Sequence, residues 1–373
     1  MKKNICIIGA GNIGVACAVD ISLNDNYSVT IFSKRANTLP SKFTKINSLD
    51  NTEKESNPII VTNDEEIAFK NAEIILVTVP SFMTDTVVKQ ILPYSPKIVF
   101  YIPGYGGKEL FSKPLVDKNI IIAGLERVPY IARLKNETTV CATKKPDLSC
   151  SALKSRDTEY ACQLLEDMFN ITCNRINSYL TISFTPSNPI LHTARLYSMF
   201  KDYDFNSYLQ SQILFYAAWD DNSSEVLIGM DKELEAVCNA FSEIDLSQFK
   251  TIRTHYESFD IKAMTNKISN IPAFKNIYSP LKKIDNKELY IIDSESRYFQ
   301  EDFPYGLCIL KGFADIVNIQ TPYMNKVLKW FEKISKRKVL SPDEHVLLSD
   351  IDYTGIPQRF GLTDKQDVIK FYK

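Results

Sequence analysis

The fold is decided by a stretch near the amino terminus, Ile5-Cys6-Ile7-Ile8-Gly9-Ala10-Gly11-Asn12-Ile13-Gly14. Its first four residues are apolar without alternation, which is typical of a strand that is buried on both faces. The three glycines follow with the spacing G-x-G-x-x-G, and a helical pattern begins at Ile13. A strand, a glycine-rich turn and a helix in this order indicate dinucleotide binding, because the turn brings phosphates to free N–H groups at the helix start. The residues predicted to contact the cofactor here are Gly9, Gly11, Asn12, Ile13 and Gly14.

Strands and helices continue to alternate after this turn. Further strands are predicted at 29–32, 59–62, 74–79, 97–102 and 119–123, with helices at 65–71 and 83–91. Such alternation with short turns predicts a doubly wound parallel sheet of the Rossmann type. After about residue 178 the pattern becomes helical, with amphipathic segments at 189–201, 208–219, 232–242, 307–317 and 323–335 and a small helical cap at 336–373. We therefore predict a dinucleotide-binding Rossmann domain at 1–178, a mostly α-helical domain at 179–373, and an active site between them.

The residues after the second strand indicate which dinucleotide binds. A carboxylate at this point would accept a hydrogen bond from the adenine ribose of NAD. The chain has Ser33-Lys34-Arg35 instead, and a hydroxyl with two cations suits the 2′-phosphate of NADP. We therefore predict that NADPH is preferred over NADH, with a solvated loop of incidental charge as the alternative. Val79 and Pro80 are predicted to line the nicotinamide side, because ligands bind at the carboxyl ends of parallel strands.

The composition argues against several classes of protein. The 373 residues are 45% hydrophobic and 24% charged, with a net charge of -1, which gives no reason to expect nucleic acid or a membrane surface as partner. The first apolar run ends in glycines and reads as a strand rather than a signal peptide. The eight cysteines form no C-x-x-C pair, and three histidines are too few for a metal cluster. We therefore predict no metal site and a cytoplasmic protein with reduced thiols.

A histidine in the second half of the chain is a candidate general acid/base. The sequence Ser-Asn-Pro-Ile-Leu-His ends at His192, which we place one turn into a helix capped by Ser187 or Asn188, with Pro189 as its first residue. A histidine near a helix start is suited to exchange protons near neutral pH. The alternative is a histidine that is satisfied in a helix interface.

A second polar segment lies about a hundred residues further on. Arg297 and Asp302 are five residues apart, and a Pro-Tyr-Gly turn follows them. A partly buried carboxylate can hold an imidazole in one tautomer, and a guanidinium suits a substrate carboxylate. For Arg297 the alternative is a surface ion pair with Glu301, four residues away.

These segments resemble the opine dehydrogenase family, which includes octopine and nopaline dehydrogenases. The resemblance is carried by the Asn-Pro pair before His192, by the segment 297–306, and by residues 124–130, Gly-Leu-Glu-Arg-Val-Pro-Tyr. It implies reductive condensation of an α-keto acid, which we expect to be pyruvate, with the amino group of an amino acid or related amine. It also implies that His192 moves protons, that Asp302 orients His192, and that Arg297 anchors a substrate carboxylate.

Two other interpretations stay open. One is an NAD(P)-dependent carbonyl reductase of the hydroxy-acid or ketopantoate type, which would consume NADPH with keto acid alone. The other is a cofactor-binding sensor without turnover. The sequence determines neither the oligomeric state, with a homodimer as one option, nor the amine. The acidic residues that could form a pocket for a basic amine, with solvated surface charges as the alternative, are Asp202, Asp204, Asp220 and Asp221.

Overall fold

The computed structural model describes residues 2–204, 207–285, 287–350 and 352–373. Contacts divide the chain into two compact units. The first unit runs to Ser183 and also includes Tyr372 and Lys373, whereas the second covers Phe184–Phe371. The boundary predicted from the sequence lies five residues earlier, at 178/179, before the short helix Tyr179–Ser183.

The first unit alternates strands and short helices. Its strands are β1 (Lys3–Ile8), β2 (Tyr27–Phe32), β3 (Thr44–Asn47), β4 (Glu53–Glu55), β5 (Ile60–Thr62), β6 (Ile74–Val77), β7 (Ile98–Tyr101), β8 (Ile121–Leu125), β9 (Tyr130–Leu134), β10 (Thr139–Lys144), β11 (Asp147–Ala152) and β12 (Thr172–Arg175). Its helices are α1 (Asn12–Ser22), α2 (Glu65–Phe69), α3 (Thr84–Ile91), α4 (Lys108–Phe111), α5 (Lys113–Val116), α6 (Thr158–Phe169) and α7 (Tyr179–Ser183).

The central sheet of the first unit has the strand order β12-β11-β8-β7-β6-β1-β2-β5. All neighbours in it are parallel except β11 and β8, which are antiparallel. The chain winds outward from β1 to β5 and then from β6 to β8, so the order reverses between β1 and β6, which is where ligands bind in such sheets. The predicted doubly wound sheet is confirmed, and each strand predicted for it is present.

A second sheet of the first unit, in the order β4-β3-β10-β9, was missed from sequence. The strand β4 is Glu-Lys-Glu and is exposed throughout, so it carries no apolar alternation. The strand β10 buries only Val140 and Ala142, which are small and few. Short strands of this kind are formed by pairing with their neighbours rather than by their own pattern.

The rest of the chain is mostly helical, as predicted. Its helices are α8 (Ser187–Phe200), α9 (Asp221–Ala240), α10 (Ile252–His255), α11 (Ile261–Ser269), α12 (Arg297–Gln300), α13 (Cys308–Ile316), α14 (Pro322–Ser335) and α15 (Lys365–Tyr372). A small hairpin of β13 (Leu281–Lys283) and β14 (Tyr290–Ile292) was not predicted. Among the described residues of the predicted cap at 336–373, an α-helix is present only at α15.

The predicted helix at 208–219 is wrong. Leu209 and Leu214 instead form isolated bridges with Tyr290 and Tyr278. The helix predicted at 232–242 begins at Asp221, because the Asp220 side chain accepts a hydrogen bond from the backbone N–H of Ser223 at 2.8 Å and caps α9. Contacts that are distant in sequence have overridden an apolar spacing that suited a helix.

Two further findings concern the described part of the chain. No helix in it is long and apolar enough to cross a bilayer. No group of three or more His, Cys, Asp or Glu side chains in it is arranged to hold a metal ion. The eight cysteines are free thiols, and all but Cys141 are buried.

Candidate functional site

The glycine-rich turn between β1 and α1 is shaped by steric limits that only glycine meets. Gly9 has a φ of +109°, and a Cβ there would lie 2.9 Å from atoms of both Thr78 and Val79. A Cβ on Gly14 would lie 1.9 Å from the carbonyl oxygen of Gly9. Around Gly11, by contrast, a Cβ would meet nothing within 4 Å. Packing therefore explains the outer two glycines, whereas Gly11 leaves room for a ligand at the helix start.

The start of α1 is suited to bind phosphate. Gly11 is the cap residue, no side chain caps the helix, and its first turn contains no acidic residue. Its N–H groups are thus available to an anion. The Asn12 side chain is engaged within the protein, because its Oδ1 accepts a hydrogen bond from the N–H of Leu134 at 2.9 Å and ties β9 to this turn. Ile13 is half-buried beside it.

The Ser-Lys-Arg segment after β2 lies against the same turn. Nη2 of Arg35 donates to the carbonyl oxygen of Ala10 at 2.9 Å, and Nη1 lies 3.8 Å from Glu137. The Ser33 hydroxyl accepts from the backbone N–H of Arg35 at 3.2 Å, and Lys34 is exposed. These residues follow β2, next to β1 in the sheet, so the structure brings the predicted adenine-side residues together with the glycines.

The residues predicted to line the nicotinamide side follow β6, on the other side of β1. Val79 lies against the turn at Gly9, because a Cβ added to Gly9 would be 2.9 Å from Cγ1 of Val79. Pro80 precedes a 3₁₀ turn at Ser81–Met83. The residues predicted to bind the cofactor therefore lie along one edge of the sheet, with the strand reversal between them.

His192 lies in the second unit, in the second turn of α8. The helix begins at Ser187, and neither Ser187 nor Asn188 caps it, so the predicted capping is wrong. Nδ1 of His192 is 2.8 Å from Oδ2 of Asp302, and Nε2 is 2.7 Å from Oη of Tyr216. The side chains of His192 and Asp302 are 12% and 9% exposed, which shields this contact from solvent.

Asp302 is brought to His192 by an unusual helix. A π-helix (Phe303–Leu307) stands where a Pro-Tyr-Gly turn was predicted, and the N–H of Leu307 donates to the carbonyl oxygen of Asp302 at 2.9 Å. A Cβ on Gly306 would lie 3.1 Å from Cβ of Pro189, so this helix packs closely on the start of α8. Burial raises the pKa of the Asp302 carboxyl, and the neighbouring His192 opposes that rise.

Arg297 does not join this contact. Its Nε and Nη2 both donate to Oε2 of Glu301, at 3.1 and 2.6 Å, and its side chain is 72% exposed. This is the surface ion pair that the sequence analysis gave as the alternative. The role of Arg297 as a substrate anchor stays a prediction.

Two residues near this contact, Tyr216 and Arg195, were not predicted from the sequence. Tyr216 lies in the segment that was predicted as a helix, where nothing distinguishes it from the other tyrosines. Arg195, three residues after His192 on α8, is buried, and its Nε donates to the carbonyl oxygen of Phe215 at 2.7 Å. An arginine on the apolar face of a predicted helix was the one available signal, because such a cation needs buried acceptors.

The chain matches two family models. Residues 175–335 match the model described as NAD/NADP octopine/nopaline dehydrogenase, alpha-helical domain, and residues 5–129 match ketopantoate reductase PanE/ApbA. Octopine dehydrogenase of Mizuhopecten yessoensis is 25% identical over 97% of both chains. Opine dehydrogenase of Haliotis discus hannai is 27% identical over 81% of this chain and 79% of its own.

The helical domain of the protein belongs to the octopine/nopaline dehydrogenase family.

A solved structure agrees with this membership at the level of fold. An octopine dehydrogenase with NADH and L-arginine superposes with a TM-score of 0.87 at 23% identity, covering 100% of this chain and 99% of the other. The chain is an NAD(P)-dependent oxidoreductase. The family resemblance inferred from the Asn-Pro-x-x-His and Arg-to-Gly segments is confirmed.

Proposed function

We propose that the protein is an NADPH-dependent opine dehydrogenase that condenses an α-keto acid, in the first instance pyruvate, with the amino group of an amino acid or related amine and reduces the imine. The observation that carries this proposal is the shielded 2.8 Å contact between His192 and Asp302 in the family's helical unit. An imidazole held by a carboxylate is a general acid/base, which carbonyl condensation needs.

The residues of this chain have separate parts in the reaction. When bound, the reduced nicotinamide supplies the hydride that reduces the imine carbon. His192 supplies a proton to the carbonyl oxygen and again to the hydroxyl that leaves as water. Asp302 accepts a hydrogen bond from the Nδ1–H group of His192 and holds the ring in one orientation. The residues that would hold the dinucleotide are those of the glycine turn and the segment 33–35.

Arg297 is proposed to exchange its partner when substrate binds. Its Nε and Nη2 share one oxygen of Glu301, and its side chain is largely exposed. A substrate carboxylate would offer the guanidinium two oxygens side by side, the geometry that an arginine fork favours. Arg297→Ala should therefore raise the KM for the keto acid about tenfold. An unchanged KM would contradict the anchor.

The preference for NADPH rests on Arg35. Its guanidinium lies on the glycine turn, and the chain carries no carboxylate at the end of β2. The wild-type protein should have a higher kcat/KM with NADPH than with NADH, and Arg35→Ala should lower only the NADPH value, by about tenfold. Equal efficiency with both cofactors, or a preference for NADH, would refute the proposal.

The four acidic residues that could form a pocket for a basic amine do not identify the amine substrate. Asp220 caps α9 and lies 3.5 Å from Arg195, and Asp221 accepts a hydrogen bond from Thr265 at 2.7 Å. Asp202 and Asp204 are exposed. These four residues support the interpretation as structural or solvated charges.

A carbonyl reductase without amine condensation is the second candidate, because residues 5–129 match a ketopantoate reductase model. The experiment that separates the two follows NADPH oxidation with pyruvate, with and without pooled amino acids and amines. Oxidation only when both are present supports the opine reaction, and dividing the pool then names the amine. Oxidation with keto acid alone would favour the carbonyl reductase.

A further inference from the structure

The nitrogen of His192 that faces away from Asp302 is already engaged by a phenol. Nε2 lies 2.7 Å from Oη of Tyr216, so a proton that leaves His192 by this nitrogen first meets that hydroxyl. We propose that Tyr216 is a catalytic residue that passes the proton between His192 and the oxygen of the keto acid. This inference rests on the proposed function and adds the group that touches the substrate oxygen.

The directions of the two hydrogen bonds follow from Asp302. An ionised carboxylate only accepts, so Nδ1 of His192 carries a hydrogen. In the neutral imidazole, Nε2 therefore accepts the proton of Tyr216. In the imidazolium, Nε2 donates to the phenol oxygen, which frees the phenol proton for another acceptor. Tyr216 reverses its hydrogen bond when His192 changes protonation, as a relay requires.

The position of Tyr216 is fixed by its neighbours. Arg195 binds the carbonyl oxygens of Phe215 and Ala218, which flank Tyr216 in the chain. The Tyr216 ring stacks on Phe274 with centroids 4.3 Å apart, and Tyr216 is buried. Because both backbone and ring are held, the placement of the hydroxyl beside His192 is part of the fold rather than a surface rotamer.

The relay moves protons without leaving a charged phenol. Burial raises the pKa of Tyr216 well above its ordinary value, which disfavours a phenolate, so Tyr216 gives one proton as it takes the next. As the amine nitrogen bonds to the keto carbon, the π pair moves to oxygen, which takes the Tyr216 proton while Tyr216 takes the Nε2 proton.

The second use of the relay accompanies loss of water. The attacking nitrogen has released one proton to solvent, and His192 takes up another. When the C–O bond breaks, the leaving hydroxyl takes a proton from Tyr216, and the nitrogen lone pair forms the protonated imine that accepts the hydride. After hydride transfer, His192 is reprotonated from solvent. Each turnover thus consumes one proton and one hydride and releases one water.

The test compares Tyr216→Phe with Tyr197→Phe, which removes the phenol hydroxyl of a residue on α8. Turnover is measured with saturating NADPH, keto acid and amine, and NADPH binding by fluorescence. Tyr216→Phe should lower kcat by about 100-fold with unchanged NADPH binding, whereas Tyr197→Phe should stay near wild type. A fluorinated tyrosine at 216 keeps the ring and hydroxyl but is a stronger acid, so it should shift the pH profile of kcat.

A kcat near wild type in Tyr216→Phe would overturn the relay, and so would a pH profile that the fluorinated residue does not move. Loss of activity with an unmoved profile would mean that Tyr216 only positions His192. The proposed function fails separately, if the wild-type enzyme shows no dependence on an amine. If it reduces keto acid alone, the same comparison applies, because that carbonyl oxygen needs the same proton.

Discussion

The two units assemble their candidate sites in different ways. In the first unit, one continuous stretch of ten residues forms the strand, turn and helix start that suit a dinucleotide. In the second unit, the contact joins His192, Tyr216 and Asp302, which come from three segments as much as 110 residues apart in sequence. A local site can be recognised from spacing alone, whereas a dispersed site needs the fold or a family resemblance to reveal it.

The largest effect is expected when His192, the central residue of the dispersed site, is replaced. His192→Ala should lower kcat by about 1,000-fold, because it deletes the proton donor, yet NADPH should bind normally since the predicted cofactor residues all belong to the first unit. Steady-state turnover and a fluorescence titration with NADPH measure the two effects. Near-normal turnover would remove His192 from the mechanism.

The local site is tested by a pair of matched glycine variants. Gly14→Ala places a Cβ 1.9 Å from the carbonyl oxygen of Gly9, so the turn must shift, and the free energy of unfolding should fall by about 3 kcal/mol. Gly11→Ala meets nothing within 4 Å and should leave stability unchanged while weakening NADPH binding. Denaturant unfolding and cofactor titration give both quantities. Equal stabilities would show that packing does not select Gly14.

A long-range polar contact elsewhere in the second unit should make the stability of the protein depend on pH. Glu233 on α9 accepts hydrogen bonds from the N–H groups of Tyr323 and Met324 at the start of α14, at 2.6 and 3.0 Å. Burial raises the pKa of Glu233 from 4.5 to about 7, so the folded chain binds this proton more readily than the unfolded chain. The contribution of Glu233 to the free energy of unfolding is therefore fully present below pH 4.5 and is lost as the pH rises through 7.

The free energy of unfolding should accordingly fall by about 2 kcal/mol between pH 5 and pH 8 because of this group. Glu233→Gln does not titrate, so its curve should fall less steeply, whatever its stability at pH 5. Urea unfolding at several pH values measures the difference in slope. Identical slopes would mean that Glu233 titrates in the same way in both states.

The smallest effect is expected at the helix contact that supports Asp302. Gly306→Ala adds a Cβ 3.1 Å from Cβ of Pro189, which a shift of a few tenths of an ångström can relieve. We expect kcat to fall several-fold and stability to fall by about 1 kcal/mol. Gly361→Ala is the control for backbone strain without a steric contact. The φ of Gly361 is +82°, and a Cβ there would meet nothing within 4 Å. An unchanged kcat in Gly306→Ala would show that the contact does not set the position of Asp302.

Much of the first unit could be predicted because its information is local. The strands β6 and β7 are continuous apolar runs, β1 ends in such a run at Ile5–Ile8, and the glycine turn has a fixed spacing. The second sheet could not be predicted, because strands such as the exposed β4 depend on their partners for pairing.

The second unit was less predictable in its details. The contact between His192 and Asp302 was expected through the family resemblance, whereas His192 considered by itself favoured a histidine that is satisfied in a helix interface. Tyr216 was hidden because the spacing of apolar residues around it suits a helix. The buried guanidinium of Arg195 takes the carbonyl oxygens that such a helix would have used. Whether a carbonyl oxygen accepts a hydrogen bond from a helical N–H or from a distant side chain is determined by the whole fold.

The π-helix after Asp302 makes this site sensitive to length. It accommodates one residue more than an α-helix in the same rise, and the extra residue lies between Asp302 and the regular helix α13. Deleting one residue from Phe303–Leu307 would replace the wide turn, in which the N–H of Leu307 reaches the carbonyl oxygen of Asp302, with a regular helical turn, and would shift the Asp302 backbone beside His192. Descendants of this sequence can therefore exchange many side chains in this segment, but a change of one residue in its length would uncouple the carboxylate from the imidazole.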